Sequence, residues 1–220
     1  MIKLPSLKQE DLLLRAQYHF PMDNPAHAHT IEDNVLRWSA EFTGKTIGVK
    51  DSAVFTNGEP KATFLFNDTG CISDPKVCSV GITLSLWLKH TNGEAGQTFL
   101  STGGNVDQSR GVRVFQLNGS FDHIAVEMRN ELESCLWTFI APQNIWSHFV
   151  IVFGSLSSGS CGVLKFFFNG ELQSPLFSDT KSQNSLAVSP IVQIGDSSMG
   201  HPRLLLTIWL FGMKHLETQT

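Results

Sequence analysis

The sequence predicts an all-β protein built as a two-sheet antiparallel sandwich, and three observations lead to that prediction. The segment Ile82–Lys89 alternates strictly between apolar and other side chains, as expected of a strand with one buried face. Asn-Gly, a pair suited to the positive φ angles of a type I′ hairpin turn, occurs four times. About a dozen short strand-like segments follow one another with turn signals between them.

Each strand is predicted from a run of apolar and β-branched residues bounded by turn-forming residues. In chain order the predicted strands are Arg15–Pro21, Glu41–Val49, Ser52–Phe55, Lys61–Phe66, Ile82–Lys89, Gln97–Thr102, Gly111–Leu117, His123–Arg129, Ser134–Ala141, His148–Phe153, Gly162–Asn169, Ile191–Ile194 and Leu204–Phe211. The Asn-Gly pairs begin at Asn57, Asn92, Asn118 and Asn169, and the last makes Phe166–Leu172 the clearest hairpin. Residues 1–14 are predicted to form an amino-terminal extension with a short helix that Ser6 caps, and residues 15–220 one domain.

Composition limits the classes of protein to consider. A chain of 220 residues with 41% hydrophobic and 16% charged residues is typical of a globular protein and excludes a disordered one. The net charge of −4 argues against a nucleic-acid partner, which requires a concentrated basic face. The longest apolar run, Leu204–Met213, is about half the length of a membrane span, so we expect a buried strand and no span in this chain.

The four cysteines, Cys71, Cys78, Cys135 and Cys161, predict two disulfide bonds. Of the three possible connectivities we favour Cys71 with Cys78 and Cys135 with Cys161. The alternative is four reduced cysteines in the core, whereas zinc is disfavoured because the sequence contains no C-x-x-C spacing.

Two acceptor sequons for N-glycosylation, at Asn67 and Asn118, also favour an extracellular setting. The amino terminus carries charged residues where the apolar core of a secretory signal would lie. Either the signal is missing from this chain or the protein is not secreted.

Two kinds of candidate binding residue follow from the sequence. His27 and His29 lie beside acidic residues and suggest a metal, although a solvated loop is the favoured interpretation. Trp87 lies on the polar face of its strand, where its ring could stack on a sugar. Core positions are expected for the other four tryptophans, Trp38, Trp137, Trp146 and Trp209.

Several segments together resemble a known superfamily. They are YHFPMDN from Tyr18, the loop CISDPKVC followed by GITLSLWLK, then WTFIAPQNIWSHFVIVF, LKFFFNGELQ, VQIGD and the final LLLTIWLF. The sequence resembles laminin G and pentraxin-like domains, which have the concanavalin A-like jelly-roll fold. It is most similar to the pentraxin-like domain at the amino end of adhesion-class G-protein-coupled receptors.

The resemblance implies an extracellular, non-catalytic module that binds a glycan or a protein of the cell surface or matrix, within a larger membrane-anchored protein. Members of the superfamily often hold calcium at one rim, and Asp23 and Asp196 are the candidate ligands that the resemblance implies here. Arg203 and Leu204 stand where many members have acidic residues, and neither suits a cation that requires oxygen ligands.

Two alternatives stay open. The superfamily also contains glycoside hydrolases, which need paired carboxyl groups, and Glu131 and Glu133 have the right parity for such a pair. However, the next alternate residue is Cys135, and an exposed acidic turn is the favoured interpretation. The other alternative is an intracellular structural domain with free thiols.

Overall fold

The computed structural model describes residues 18–20, 29–30, 42–45, 52–56, 62–65, 73–78, 81–90, 98–102, 109–117, 122–154, 162–182, 187–189, 191–196 and 204–211. Its strands are β1 Tyr18–Phe20, β2 His29–Thr30, β3 Phe42–Lys45, β4 Ser52–Thr56, β5 Ala62–Leu65, β6 Ile82–His90, β7 Thr98–Ser101, β8 Gly111–Gln116, β9 His123–Arg129, β10 Glu133–Ile140, β11 Ser147–Phe153, β12 Leu164–Phe168, β13 Glu171–Gln173, β14 Phe177–Ser182, β15 Ile191–Asp196 and β16 Leu204–Phe211. A short 3-10 helix, Pro75–Val77, precedes β6.

The strands form two antiparallel sheets. Sheet A has the order β13-β12-β11-β6-β16-β1-β2, with β4 also paired to β16 and β3 paired to β4. Sheet B has the order β14-β10-β9-β8-β7-β15-β5. The predicted all-β, two-sheet sandwich is therefore confirmed.

Strand β6 lies in the middle of sheet A, between β11 and β16. Its Leu84, Leu86 and Leu88 are fully buried against sheet B, as the alternation in the sequence predicts. Trp87 and Lys89, which alternate with them, are only half-buried on the outward face. This strand therefore anchors the core with one face and presents polar and aromatic groups on the other.

Aromatic rings join the two sheets across the core. Phe139 of sheet B stacks on Phe166 of sheet A with ring centroids 3.9 Å apart, and Phe149 packs beside Phe166. Each fully buried side chain of this size contributes about 2 kcal/mol through the hydrophobic effect. Because these rings belong to β10, β11 and β12, the core holds these three strands in place across the two sheets.

The hairpin predicted at Phe166–Leu172 is confirmed as β12 and β13. Asn169 and Gly170 occupy its turn with φ angles of 49° and 86°, as a type I′ turn requires. The Oδ1 atom of Asn169 also accepts a hydrogen bond from the backbone N–H of His148, at 2.8 Å. The turn thus fixes the start of β11 as well as joining its own two strands.

Two strands were not predicted from the sequence. Strand β2 was assigned to a loop, and β14, FSDTKS, was not assigned at all. Strand β14 is at the edge of sheet B and is exposed on both faces, so no apolar alternation marks it. Pairing with the backbone of β10, rather than burial, defines this strand.

The tryptophans also differ in part from the expectation. Trp137 packs against the core as predicted, and Trp146 is half-buried. The register pairs Trp209 with Ser85, and the expected core position of Trp209 stays a prediction.

Other predictions fall on parts of the chain that the structure does not describe. They are the helix in residues 1–14, Trp38 and the Asn-Gly turns at Asn57, Asn92 and Asn118. Among the described residues, no helix is both long enough and apolar enough to cross a membrane.

Candidate functional site

A stack of Trp87 and His148 lies on the outward face of sheet A. The two residues lie directly opposite each other on β6 and β11 of sheet A. Their ring centroids are 5.0 Å apart and the ring planes differ by 22°. Trp87 therefore lies on the face that its sequence position predicts, and its ring is held against a second ring.

His148 is fixed by hydrogen bonds from two directions. Its Nε2 atom and the Oγ atom of Ser85 share a hydrogen bond of 2.8 Å. Its backbone N–H donates to Asn169 Oδ1, and its carbonyl accepts from the N–H of Asn169. We call Ser85, Trp87, His148 and Asn169 the Trp87 cluster.

Burial favours the neutral form of the imidazole in this cluster. It lowers the pKa of His148 below the ordinary value of 6.5, because the charged form loses hydration. A neutral imidazole can donate or accept a hydrogen bond at each nitrogen, depending on the tautomer. The cluster therefore combines a flat apolar ring with uncharged polar atoms, which suits stacking and hydrogen bonding rather than ion binding.

An apolar row lies beside the cluster on the same face of sheet A. The row consists of Val150, Phe167 and Leu172, which are successive cross-strand partners, and Val150 lies opposite Ser85 of the cluster. Leu172, at the edge, is 63% exposed. The outward face of sheet A thus offers both an aromatic stack and accessible apolar area.

The outward face of sheet B carries charged groups that are already paired. Arg129 Nε lies 2.9 Å from Glu127 Oε1, and the hydroxyl of Ser134 donates to the same oxygen. Arg113 donates to the hydroxyl of Thr98 and lies over the ring of Phe115, 4.5 Å from its centroid. These pairs hold the side chains in place, and they do not form a pair of carboxyl groups facing a cleft.

The candidate catalytic pair of the hydrolase alternative does not share a strand. Glu131 lies in the turn before β10, and Glu133 is the first residue of β10. The side chain of Asn130 closes this turn, with Oδ1 accepting from the N–H groups of Leu132 and Glu133. This geometry is that of the acidic turn that the sequence favoured.

Glu131 also has a cationic neighbour that links it to the cysteine loop. Arg110 lies 3.7 Å from Glu131 Oε1 and 2.9 Å from Asp74 Oδ2. The side chains of Arg110 and Asp74 are only 12% and 10% exposed. The guanidinium therefore ties the loop before β6 to the start of β8 and to the β9–β10 turn.

The cysteines lie partly inside the described chain. Cys78 and Cys135 are buried, and the sulfur of each belongs to a disulfide bond. Because a disulfide sulfur carries no proton, the hydroxyl of Thr180 is the donor in its 3.3 Å contact with Cys135 Sγ. Cys71 and Cys161 lie outside the described residues, so the pairing stays a prediction.

The candidate metal ligands are not brought together in the described chain. Asp196 lies in β15 opposite Thr98, and His29 lies in β2 opposite His19. Asp23 and His27 fall outside the described residues, as do the sequon residues Asn67 and Asn118. Among the described residues, no group of three or more His, Cys, Asp or Glu is placed to hold a metal ion.

Two residues of the structure were missed as site candidates from the sequence. His148 was seen only as a strand residue, and Arg110 was not considered. Each acquires its role through a partner distant along the chain, Trp87 and Asp74 respectively. The register of β6 against β11 identifies the first pair, and the packing of the loop before β6 against Arg110 identifies the second.

Comparison with known families identifies the superfamily. A family model described as the concanavalin A-like lectin/glucanases superfamily matches residues 66–205, which is more than half of the chain. The chain belongs to this superfamily. The match begins before the cysteine loop and ends within β16, so it includes the Trp87 cluster. No curated protein sequence was found to match the chain.

Solved structures with a similar fold are binding domains of toxins. The binding domain of botulinum neurotoxin DC, in complex with rat synaptotagmin II, has a TM-score of 0.60 at 10% identity, over 91% of this chain and 48% of the other. A structure of botulinum neurotoxin type C, whose cell entry is described as dependent on interaction with two ganglioside molecules, has a TM-score of 0.60 at 10% identity, over 93% of this chain and 49% of the other. The binding domain of Paraclostridial Mosquitocidal Protein 1 has a TM-score of 0.57 at 12% identity, over 92% of this chain and 49% of the other. The chain spans about half the length of these structures, and at such low identity the likeness concerns the fold alone.

Proposed function

We propose that this domain is a non-catalytic recognition module that binds a glycan or a protein at the cell surface or in the extracellular matrix. The observation that carries the proposal is the Trp87 cluster, a preorganised aromatic stack on an outward sheet face. Because Ser85 and Asn169 already hold His148, a ligand stacking on Trp87 would not have to order the side chains beneath it.

The similar toxin domains support a binding role. One is described in complex with a protein, rat synaptotagmin II, and another by its dependence on two ganglioside molecules. We propose the same two classes of ligand here, a protein or a glycan. The narrower similarity to the pentraxin-like domain of adhesion-class receptors is part of the proposal, as are the extracellular location and the membership of a larger membrane-anchored protein.

A binding screen tests the proposal. Arrays of glycans and of cell-surface proteins are probed with the whole chain in calcium and again with a chelator, because Asp23 and Asp196 are proposed calcium ligands. We expect at least one specific ligand, and loss of its binding with the chelator would support a calcium site. If neither array gives a specific ligand, the recognition proposal fails.

Variants then locate the binding site. Trp87→Ala should weaken binding by on the order of tenfold or more, as loss of a stacked aromatic ring typically does, whereas Trp87→Phe should retain part of the affinity. Ile140→Ala is the matched control, since Ile140 is 55% exposed on the other sheet. Equal affinity of Trp87→Ala and the wild type, with both folded by circular dichroism, would remove the Trp87 cluster from the site.

The hydrolase alternative is tested separately. Glu131 lies in a turn beside Arg110 rather than on the strand that begins at Glu133, so these two residues give it no geometric support. Glycan hydrolysis by the parent protein that disappears in Glu131→Gln would nevertheless establish it.

A further inference from the structure

Strand β14 leaves one edge of sheet B open. In the part of the chain that the structure describes, β14 pairs with β10 alone and is the last strand of its sheet. Every residue of β14 is exposed except Asp179, which is half-buried. An edge strand of this length presents unpaired backbone N–H and C=O groups to which another strand can bind.

The sequence of β14 is complementary to itself. Its last five residues read Ser-Asp-Thr-Lys-Ser from Ser178 to Ser182, with Thr180 at the centre. In an antiparallel pair of two such strands centred on Thr180, Asp179 of each copy lies opposite Lys181 of the other. Ser178 lies opposite Ser182 of the second copy, and Thr180 opposite Thr180. We propose that the chain forms a two-fold symmetric dimer by pairing β14 with β14 of a second copy.

The charges also select this register over its neighbours. Asp179 and Lys181 lie on the outward face of sheet B, since their partners Leu136 and Ser134 alternate with buried Cys135. A shift by two residues in one direction places Asp179 opposite Asp179, and in the other Lys181 opposite Lys181. Like charges directly opposite each other are destabilising, and opposite charges stabilise. A shift by one residue would turn the outward faces of the two sheets to opposite sides.

Asp179 and Lys181 contact each other within β14, and this contact leaves both side chains able to interact with a second copy of the chain. Lys181 Nζ is 3.6 Å from Asp179 Oδ2 in the same strand, and the lysine side chain is 77% exposed. An exposed pair of this kind contributes little to the stability of one chain. In the dimer each charge would gain an additional partner across the new strand pair.

Apolar residues in β14 and next to it would add buried area. Leu176 and Phe177 are 54% and 55% exposed, and Leu172 of β13 is 63% exposed. Only three residues separate β13, the edge of sheet A, from β14, so both edges lie on the same side of the sandwich. A second copy approaching β14 would therefore also cover apolar surface near β13, beyond the backbone hydrogen bonds of one strand pair.

Sedimentation velocity over a concentration series measures the dimer, and two charge reversals test its register. Asp179→Lys and Lys181→Asp should each weaken dimerisation by on the order of tenfold, because two symmetric attractive pairs become repulsive. An equimolar mixture of the two variants should dimerise again, since each lysine then faces an aspartate. The double variant Asp179→Lys/Lys181→Asp should form the homodimer for the same reason.

The control is Lys165→Asp, which reverses an exposed charge on β12, a strand paired on both sides. It should dimerise as the wild type does. A wild-type chain that is monomeric at every concentration would overturn the proposal. So would a dimer that both single reversals leave unchanged, or single variants whose mixture stays monomeric while each remains folded by circular dichroism.

Discussion

The side chain of His148 links two residues of β6, the buried Ser85 and the half-buried Trp87. Ser85 is only 5% exposed although it alternates with the leucines of the core. A buried hydroxyl without a partner is costly, and the imidazole of His148 supplies the partner at 2.8 Å. The same imidazole then stacks on Trp87, so the burial of Ser85 and the orientation of the tryptophan depend on one residue.

The ionisation of His148 should make stability depend on pH. Its pKa in the fold lies below the 6.5 of a free imidazole, so the unfolded chain binds a proton at higher pH than the fold does. The stability contributed by the neutral imidazole is complete above that ordinary value and is lost as the pH falls below it. Urea unfolding from about pH 7.5 to about pH 5.5 should show a smaller decrease for His148→Gln than for the wild type. Identical decreases in the two proteins would contradict this prediction.

Arg110 should contribute strongly to stability through its contact with Asp74. Arg110→Ala leaves the nearly buried carboxylate without its guanidinium, and we expect the free energy of unfolding to fall by about 3 kcal/mol. The control is Asp122→Ala, because Asp122 is 65% exposed and its contact with His123 is long, at 3.8 Å. That change should cost less than about 0.5 kcal/mol. Equal costs in chemical denaturation would show that the Arg110 contact has no special role.

At the scale of elements, strand β6 depends on the glycine that precedes it. Gly81 has a φ of +96°, and its N–H donates to the carbonyl of Cys78. A Cβ atom at this position would collide with the backbone carbonyl of Phe153 in β11. The glycine therefore allows the cysteine loop to enter the sheet close against β11.

Two glycine substitutions separate backbone conformation from steric collision. Gly81→Ala should destabilise the fold by more than about 3 kcal/mol, because both the positive φ and the collision oppose a side chain. Gly170→Ala should cost about 1 kcal/mol, since Gly170 also has a positive φ but its Cβ would meet nothing within 4 Å. Urea denaturation of both variants measures the difference. A Gly81→Ala cost no larger than that of Gly170→Ala would exclude the collision.

The contrast between β6 and β14 shows which elements a sequence reveals. Strand β6 has one face in the core, so its side chains alternate and its bounds were predicted to within one residue. Strand β14 has exposed residues on both faces, so burial imposes no pattern on it. The Asn-Gly hairpin between β12 and β13 was found because positive φ angles require particular residues at the turn itself.

At the scale of the whole molecule, the two predicted disulfide bonds differ in the distance along the chain between the cysteines that they join. Cys135 lies in β10 of sheet B, whereas Cys161 falls in the segment between β11 and β12 of sheet A. A bond between them would connect the two sheets. A bond between Cys71 and Cys78 would close only the short loop before β6.

Peptide mapping without reductant should recover both predicted pairs. Replacing Cys135 and Cys161 by alanine should then cost about 3.5 kcal/mol, against about 2.5 kcal/mol for Cys71 and Cys78, because the longer loop restricts the unfolded chain more. Thermal unfolding of the two double variants compares them. Recovery of crossed pairs would overturn the connectivity, and four thiols in the intact protein would support the intracellular alternative.

The sequence alone determined the fold class, most strands, the hairpin at Asn169 and the outward face of Trp87. These features depend on local periodicity and turn chemistry, which each segment carries in itself. The tertiary structure alone decided that His148 lies against Trp87, that Arg110 reaches Asp74, and that β14 is the last strand of sheet B in the described part of the chain. The partners in the first two pairs are far apart along the chain. Whether a strand lies at the edge of a sheet depends on the order of all the strands in that sheet. Such features follow from the order and register of the strands, which no single segment encodes.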